Sequence, residues 1–511
     1  MKSIKILSFV LALVLGLSSC SSSWLDTEMT GSALTQDQFD KLPNTADGAV
    51  LGLYSMLYAT AGGSNHHYFG QKSIDMATDI LSGDMAMTAN AYGWFTDCEQ
   101  QQCASMTAGR NSYFWSYYYT ILLNANNAIR SFVALENPTD AQKTALAQCL
   151  TMRAYCYFNL AHLYSPGMTD VESADRFVGN TGMDYLCVPI YNETSSVNEE
   201  TGLVQEQPVA STRDVYNQVV SDLNWAIALF DETGFSRSSK LYLDKDIANA
   251  YLAYTYLQTQ EYDSAYAVAK RVIDAGNYEI LPFEDLTTTG FVDQSNSSWM
   301  WGLDVTIENT THLASFWAHM DIHTYGYAAL GASKALDEEL YKSIPETDGR
   351  INWFDASKKC VASYKFYDLA RGTKADEYDR RWLNDIVFMR IEEMYLVAAE
   401  AATRADKLAE AKEELKVLLA QRDETVMATI DGMSKDALLD NIYYNWRVEL
   451  FGEGRALMTF KRFGGIKMRG GNHFYKGGEQ MQAVDPANPV LLFIIPYSEY
   501  TNNQANNDLK S

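Results

Sequence analysis

The stretch "DIANAYLAYTYLQTQEYDSAYAVAKRVIDAG" (246–276) has the pattern of two helices joined by a short turn. Ala253 and Ala265 stand twelve positions apart, so each predicted helix carries a small residue where the other would cross it. Small side chains at this spacing let two antiparallel helices approach closely. The stretch therefore predicts a helical hairpin.

A second stretch, "IEEMYLVAAEAATRADKLAEAKEELKVLLAQR" (391–422), repeats the pattern with Ala399 and Ala411. Paired helices of this kind are the unit of tetratricopeptide proteins, whose tandem units recur about every 34 residues. The two hairpins here lie much farther apart in the chain. The sequence therefore predicts a mainly α protein, in which tetratricopeptide-like hairpins form one scaffold with large insertions between them.

Further segments with helical periodicity extend the predicted scaffold. With the hairpins, they place helices at about 40–60, 112–164, 211–276 and 388–460. The segments at about 60–111 and 281–387 are rich in Gly, Asn, Thr, Asp and aromatic residues and lack a sustained period. We expect these irregular regions to carry the function, because binding residues concentrate on loops held by a rigid scaffold. The run "PVLLFIIP" (489–496) predicts a buried strand.

The N-terminus has the pattern of an export leader. Two lysines precede an apolar run, 6–17, which as a helix would span roughly 18 Å against the ~30 Å of a bilayer core. Residues 1–19 are therefore predicted to be a cleaved signal peptide. The tetrapeptide ending at Cys20 is similar to a bacterial lipobox, so we expect Cys20 to be acylated and to anchor residues 20–511. An ordinary leader that contains a cysteine is the alternative.

The charge and the motifs of the chain argue against some classes of function. The chain has 40 Lys and Arg against 65 Asp and Glu, a net charge of −25, which argues against nucleic acid as a partner. The Gly452–Glu453–Gly454 motif is not a phosphate loop, because its acidic residue would repel phosphate, and no cofactor is predicted. Cys98 and Cys103 could pair across a loop, and the sequence leaves that question open.

Several blocks together carry a family resemblance. In chain order they include "MRAYCYFNLAHLYS" (152–165), "FMRIEEMYLVAAEA" (388–401), "NWRVELFGEGRALMTFKRFG" (445–464) and "LLFIIPYSEYTNNQANN" (491–507). They resemble the signature segments of the SusD-type (SusD/RagB) outer-membrane lipoproteins of Bacteroidetes. The resemblance implies a single SusD-like domain over 20–511.

The resemblance also implies a function. Members of this family bind oligosaccharides, or in some cases peptides, at the cell surface without catalysis. They deliver the ligand to a SusC-type TonB-dependent transporter in the outer membrane. We therefore expect a lipid-anchored protein that is exposed at the cell surface and takes part in nutrient uptake. A peptide-binding member of the family, or an exported glycoside hydrolase, is the alternative.

The predicted ligand site consists of aromatic rings, because sugars present apolar C–H faces on which flat rings stack. The irregular regions supply the candidates Tyr68, Phe69, Trp94, Phe316, Trp317 and Tyr325, with Phe95 and Tyr327 beside them. For each ring, packing in the core is the alternative. Asp79 could accept a hydrogen bond from a sugar hydroxyl, or it could cap a loop.

No catalytic or metal site is predicted. His319 and His323 have the spacing of two ligands on one helix face, and His312 is nearby. Met320 stands where a His-Glu-x-x-His protease would have its glutamate, and no third carboxylate ligand is evident. The histidine pair alone does not predict a bound metal.

We predict that Cys20→Ala prevents acylation and moves the chain from the membrane to the soluble fraction. Each buried acyl methylene contributes about 0.8 kcal/mol to membrane binding, so losing the chains removes the anchor. Intact-mass spectrometry and membrane fractionation measure both effects, with Cys360→Ala as the control that should keep both. A Cys20→Ala chain that stays in the membrane fraction contradicts the prediction.

Overall fold

The structure, a computed structural model, describes most of the chain after the predicted leader. The described residues are 45–60, 65–167, 182–198, 204–288, 290–367, 382–463, 467–475, 480–481 and 491–506. Cys20 and the predicted signal peptide lie outside these residues, so they remain predictions.

Helices dominate the described residues, which confirms the predicted mainly α class. The helices are α1 Thr45–Met56, α2 Gln71–Ser82, α3 Thr96–Glu99, α4 Gly109–Val133, α5 Asp140–Tyr164, α6 Thr212–Thr233, α7 Lys245–Gln258, α8 Tyr262–Asp274, α9 Phe316–Met320, α10 Glu338–Lys342, α11 Ile391–Arg404, α12 Leu408–Leu419, α13 Glu424–Met427, α14 Lys435–Glu449, α15 Ala456–Phe463 and α16 Tyr497–Asn502. Single helical turns occur at Gly182–Asp184, Phe283–Asp285, Ala328–Ala332, Gly349–Trp353, Ala356–Lys358 and Ile430–Gly432.

Both predicted hairpins are present, as α7–α8 and α11–α12. Asp244 begins α7 by accepting hydrogen bonds from the backbone N–H groups of Asp246 and Ile247, each at 3.1 Å. Ala253 and Ala265 are both completely buried, as the close approach of the two helices requires. Helix α8 packs against α11, so the hairpins are neighbours in space although they are distant in sequence.

The hairpins belong to one continuous array, in which α4, α5, α6, α7, α8, α11 and α12 each pack on the next. Helix α5 begins with a capping box between Thr139 and Gln142 and is buried from Thr144 to its end. Its Arg153 is completely buried and pairs with Asp222 of α6 at 2.6 Å. Helix α5 is therefore enclosed by neighbouring elements along most of its length.

Short strands lie in the insertions between these helices. They are β1 Met85–Met87, β2 Leu186–Pro189, β3 Val209–Ser211, β4 Trp299–Leu303, β5 Lys334–Leu336, β6 Phe354–Asp355, β7 Val361–Ala362, β8 Ile386–Arg390, β9 Lys467–Met468 and β10 Gln480–Met481. The largest sheet within the described residues is antiparallel with the order β1-β5-β7-β6, and β4 pairs with β8 directly before α11.

Two predictions from periodicity are wrong. Helix α2 lies inside the segment predicted to be irregular, although its apolar residues Ile74, Ala77, Ile80 and Leu81 recur with helical spacing. The described part of the run 489–496 forms no strand. Its backbone N–H groups at Phe493 and Ile494 bond instead to the carbonyls of Leu163 and Ala104, both at 3.1 Å.

A buried ion network joins the second hairpin to the insertions. The Glu449 carboxylate at the end of α14 accepts hydrogen bonds from Arg350 (3.1 Å), Arg390 (3.0 Å) and Arg422 (2.8 Å). Glu453 pairs with Arg390 at 2.8 Å.

Burial alone would raise the pKa of Glu449. The guanidiniums of Arg422 and Arg390 outweigh this effect and hold the pKa well below its usual range.

Of the helices described, none has both the length and the apolar character needed to cross a bilayer.

We predict that Glu449→Gln lowers the free energy of unfolding by about 3–5 kcal/mol at pH 7, because buried guanidiniums lose their anion. Urea titration measures the loss. The exposed Glu136→Gln is the control, and it should change stability by no more than about 0.5 kcal/mol.

The difference between wild type and Glu449→Gln should also depend on pH. The carboxylate is ionised in the unfolded chain above about pH 4.5, so its stabilising effect is complete there and is lost as the pH falls toward the lower folded pKa. A stability difference that is absent at pH 7, or that grows on acidification, contradicts the role given to this carboxylate.

Candidate functional site

Aromatic rings from two insertions meet in one cluster, which we call the aromatic shelf. It consists of His66, His67, Tyr92, Trp94 and Tyr327. The Trp94 ring centroid lies 4.9 Å from that of His67, 5.7 Å from Tyr327 and 5.8 Å from His66. Tyr92 contacts Tyr327 at 5.2 Å between centroids and is 57% exposed.

The conformation of the segment around Trp94 explains how its rings reach the surface. Tyr92, Gly93 and Phe95 all have positive φ angles, at 63°, 71° and 63°. Residues other than glycine adopt this left-handed region rarely, and it costs free energy. The resulting sharp turns bury Phe95, leave Trp94 half-buried and expose Tyr92.

Tyr68 extends the shelf on its other side. Its ring stacks on Tyr113 at 4.2 Å and lies 4.1 Å from the ring of His67. The Arg110 guanidinium lies near the Tyr68 ring and donates two hydrogen bonds to Asp97, at 2.7 and 2.9 Å. Burial raises the pKa of Asp97, but Arg110 outweighs it and the net shift is downward.

Two nitrogen atoms in the shelf keep unused hydrogen-bonding capacity. Trp94 Nε1 and His67 Nδ1 are buried and have no hydrogen-bond partner within the described residues. Burial and the neighbouring Arg110 lower the pKa of His67 to about 4, so this imidazole is neutral at physiological pH. Unsatisfied buried polar atoms are few in folded proteins, and each calls for an explanation.

The structure brings together only part of the predicted site. Trp94 and Tyr68 are half-buried members of the cluster or its border, and Tyr325, which is 37% exposed, precedes Tyr327 by two residues. The sequence did not single out Tyr92. Its neighbour Gly93 is the only signal that could have marked an exposed turn there.

Phe69, Phe316 and Trp317 are buried, so they do not offer ring faces to a ligand in this structure. Phe69 stacks on the His319 ring at 5.4 Å, and Phe316 packs on Phe366 at 5.0 Å. Trp317 donates a hydrogen bond from Nε1 to the Asn384 carbonyl at 3.0 Å. We therefore revise these three candidates to packing residues, the alternative that the sequence left open.

Asp79 caps a loop, which the sequence left open as the alternative to a contact with a sugar hydroxyl. It is 1% exposed and accepts hydrogen bonds from the backbone N–H groups of Gly452 (2.9 Å), Gly454 (3.2 Å) and Ala456 (3.3 Å). Burial, helped by the charge of Asp75, raises the pKa of Asp79 to about 7. The backbone N–H groups of the glycine motif thus bind a carboxyl group of α2 rather than a phosphate.

The histidines predicted to have metal-ligand spacing are engaged elsewhere. His319 Nε2 is 3.0 Å from the His66 carbonyl, and its ring stacks on Tyr327 at 5.0 Å. His323 Nε2 is 2.9 Å from the Ser363 carbonyl. Over the described ranges, no group of three or more potential metal-ligating side chains is present.

A cleft of about 900 Å³ lies where α6 ends and α7 begins. Arg237 inside it pairs with Asp244 at 2.9 Å and donates a hydrogen bond to the Tyr278 hydroxyl at 2.7 Å. These groups satisfy one another and present few flat apolar faces. The aromatic shelf is therefore the better candidate site.

Comparisons with known proteins agree with the fold. A family profile described as "Starch-binding associating with outer membrane" matches residues 51–257, and the SusD family profile matches residues 317–502. Together they account for most of the described residues. The chain belongs to the SusD/RagB family, whose members are nutrient-binding proteins associated with the outer membrane.

Individual relatives are more distant. The SusD-like protein P2 of Formosa agariphila is 26% identical over 278 residues, which are 54% of this chain and 46% of that protein. The chain thus matches about half the length of this relative.

Among solved structures, a SusD-like carbohydrate binding protein from Bacteroides vulgatus has a TM-score of 0.71 at 21% identity, covering 90% of this chain and 96% of its own. A SusD superfamily protein from Bacteroides thetaiotaomicron has a TM-score of 0.70 at 20% identity, covering 92% and 99%. At identities this low, the similarity to these two structures shows a shared fold and nothing further.

We predict that Asp79→Ala lowers the free energy of unfolding by about 2–4 kcal/mol, because buried N–H groups lose their acceptor. Chemical denaturation measures the loss, and the exposed Asp440→Ala is the matched control. Equal stability of the two variants would show that the loop does not need this carboxylate.

Proposed function

We propose that this protein binds an oligosaccharide at the aromatic shelf, on the cell surface, and delivers it to a SusC-type TonB-dependent transporter. The observation that carries the proposal is the exposure of Tyr92 next to the half-buried Trp94, on a loop held in strained left-handed conformations. Family membership supports the ligand class and the association with the outer membrane.

Stacking would supply most of the binding energy. A sugar face that covers about 100 Å² of ring surface gains roughly 2.5 kcal/mol at 25 cal/mol per Å². Two or three such contacts give about 5–7.5 kcal/mol before the cost of association, so hydrogen bonds to sugar hydroxyls must add to the stacking for the affinity to reach the micromolar range, about 8 kcal/mol. An affinity of that order suits a protein that must release its ligand to a transporter.

The polar groups of the shelf suit hydroxyls better than charges. Asp97 and Arg110 neutralise each other, and His67 is uncharged at physiological pH. The Tyr327 hydroxyl is 2.6 Å from His66 Nδ1, so both groups lie at the shelf as hydrogen-bonding atoms. A neutral oligosaccharide therefore fits better than a charged one.

We propose that the protein is not an enzyme. A glycosidase places two carboxyl groups about 5–9.5 Å apart, on either side of the bond that it cleaves. Asp97 lies at the border of the shelf, where its carboxylate forms a bidentate pair with Arg110. That pairing suits a supporting role better than acid–base catalysis.

The predicted lipid anchor and the transporter complete the proposal. Cys20 would hold the chain at the outer membrane, and the helical array would form the scaffold that faces the transporter. Copurification of the full chain with a TonB-dependent transporter from its native membrane would support this partner.

We predict that Trp94→Ala and Tyr92→Ala each weaken binding of a glycan found on an array by at least tenfold, about 1.4 kcal/mol. Tyr497→Ala is the matched control, since Tyr497 is 59% exposed and lies outside the shelf. Isothermal titration calorimetry on the three folded variants measures the effect.

Equal affinity in all three variants would place the ligand elsewhere. Binding from a peptide pool with no binding to any glycan would favour the peptide-binding alternative. Turnover of a labelled glycan by the purified chain would favour the hydrolase.

A further inference from the structure

Two cysteines lie directly behind the aromatic shelf. Cys98 in α3 and Cys103 after it are both completely buried, and their thiols are hydrogen-bonded to each other. The segment between them is tightly turned, because the Gln101 N–H bonds to the Cys98 carbonyl at 3.0 Å and the Gln102 N–H to the Asp97 carbonyl at 2.7 Å. This turn brings the two sulfur atoms together although five positions separate them.

The pair has a cation beside it. Arg110 is 2% exposed, and its Nη1 has no hydrogen-bond partner within the described residues. Burial and the neighbouring thiol raise the pKa of Cys98, whereas the Arg110 charge acts to lower it. The net pKa of Cys98 lies well above its usual value, so the closed loop holds a protonated thiol, and the thiolate that reacts in disulfide exchange forms when the loop opens to water.

The other described cysteines lack these features. Cys149 and Cys156 are buried in α5, one seven positions after the other, too far apart along the helix to be bridged. Cys187 contacts the carbonyls of Leu160 and Ala161, both at 4.0 Å, and is hydrogen-bonded to the Thr212 side chain. Cys360 lies in a different insertion.

The pair is also placed where a crosslink would have a mechanical effect. Tyr92, Phe95 and Gln101 all have φ angles near +60°, so this loop stores strain over a short length. Phe95 packs 4.6 Å from the Arg110 guanidinium, which also pairs with Asp97. A covalent link between Cys98 and Cys103 would hold the base of the loop that positions Trp94.

We propose that Cys98 and Cys103 are a redox site whose reversible disulfide fixes the loop carrying Trp94. One thiolate attacks a disulfide-containing oxidant and releases one thiol, and the second thiolate then attacks the mixed disulfide and releases another. The two cysteines lose two protons and two electrons, and the oxidant is reduced to two thiols. Local opening of the loop, whose Gln102 is exposed, gives the oxidant access.

The pairing is tested on the purified full chain, equilibrated with oxidised and then with reduced glutathione. Free thiols are blocked under denaturing conditions, disulfides are reduced, and the newly released thiols are labelled and located by peptide mass spectrometry. After oxidation, we expect the label on Cys98 and Cys103, and the blocking group on Cys149, Cys156, Cys187 and Cys360. Both cysteines blocked as free thiols after oxidation, or either one paired elsewhere, overturns the proposal.

The effect on the loop is tested by hydrogen exchange over residues 88–108 in the oxidised and reduced chain. Oxidation should slow exchange there at least threefold, and it should leave the Cys98→Ser/Cys103→Ser double variant unchanged. The matched variant Cys360→Ser should respond as the wild type does. Equal exchange in the oxidised and reduced wild type overturns the mechanical part of the proposal.

A change in glycan affinity on oxidation would rest on the proposed function. If neither redox form binds a glycan while the pair still crosslinks, the proposed function fails and the redox site stands. If glycan binds equally to both forms and no crosslink is found, the redox site fails and the proposed function stands.

Discussion

The buried carboxylate of Glu449 is the interaction on which the rest of the structure depends. It forms ion pairs with guanidiniums from three separate parts of the chain, those of Arg350, Arg390 and Arg422. An ion withdrawn from water loses several kcal/mol of solvation, and only complete pairing compensates for it. The pairing of this carboxylate is therefore complete only when the insertion before β8, the second hairpin and the end of α14 are all in place together.

The same network reaches the aromatic shelf through the loop that follows α14. Lys365 donates to the backbone carbonyls of Glu449 and Phe451, at 2.6 and 2.7 Å, which holds that loop in place. The loop's N–H groups then bind Asp79, which fixes α2. Directly before α2, Gly70 has a φ of 74°, and a Cβ there would lie 2.1 Å from the Leu57 carbonyl oxygen. The segment that carries His66 and His67 thus has a rigid support.

The sequence could predict the scaffold because its helices repeat a local pattern. Ala253 and Ala265 reveal a hairpin without knowledge of any distant partner. Helix α2 carries the same kind of signal, with Ile74, Ala77, Ile80 and Leu81 at helical spacing, but it is short and lies in a segment whose composition favoured loops. What the sequence could not show is that the polar residues of α2 are buried as well, because their partners lie far along the chain: Gln71 accepts from the Tyr118 hydroxyl at 3.0 Å.

The site was harder to predict for the same reason. Trp94 and Trp317 look alike in sequence, because each follows or precedes another aromatic residue in a loop-rich region. What separates them is a partner 67 positions away, the Asn384 carbonyl that satisfies Trp317 Nε1, whereas Trp94 Nε1 has no such acceptor. With aromatic residues at 13% of the chain, most rings must be core, and only tertiary structure tells which are not.

The contrast between the charged interior and the neutral shelf suggests how selectivity would arise. The chain as a whole carries −25, yet at the shelf Arg110 cancels Asp97 and burial keeps His67 neutral. Ring faces and N–H groups respond to shape and hydroxyl position rather than to charge. The spacing of Tyr92, Trp94 and Tyr68 would therefore select ligands by curvature, and any change in the strained loop that carries two of these rings would alter which ligand fits.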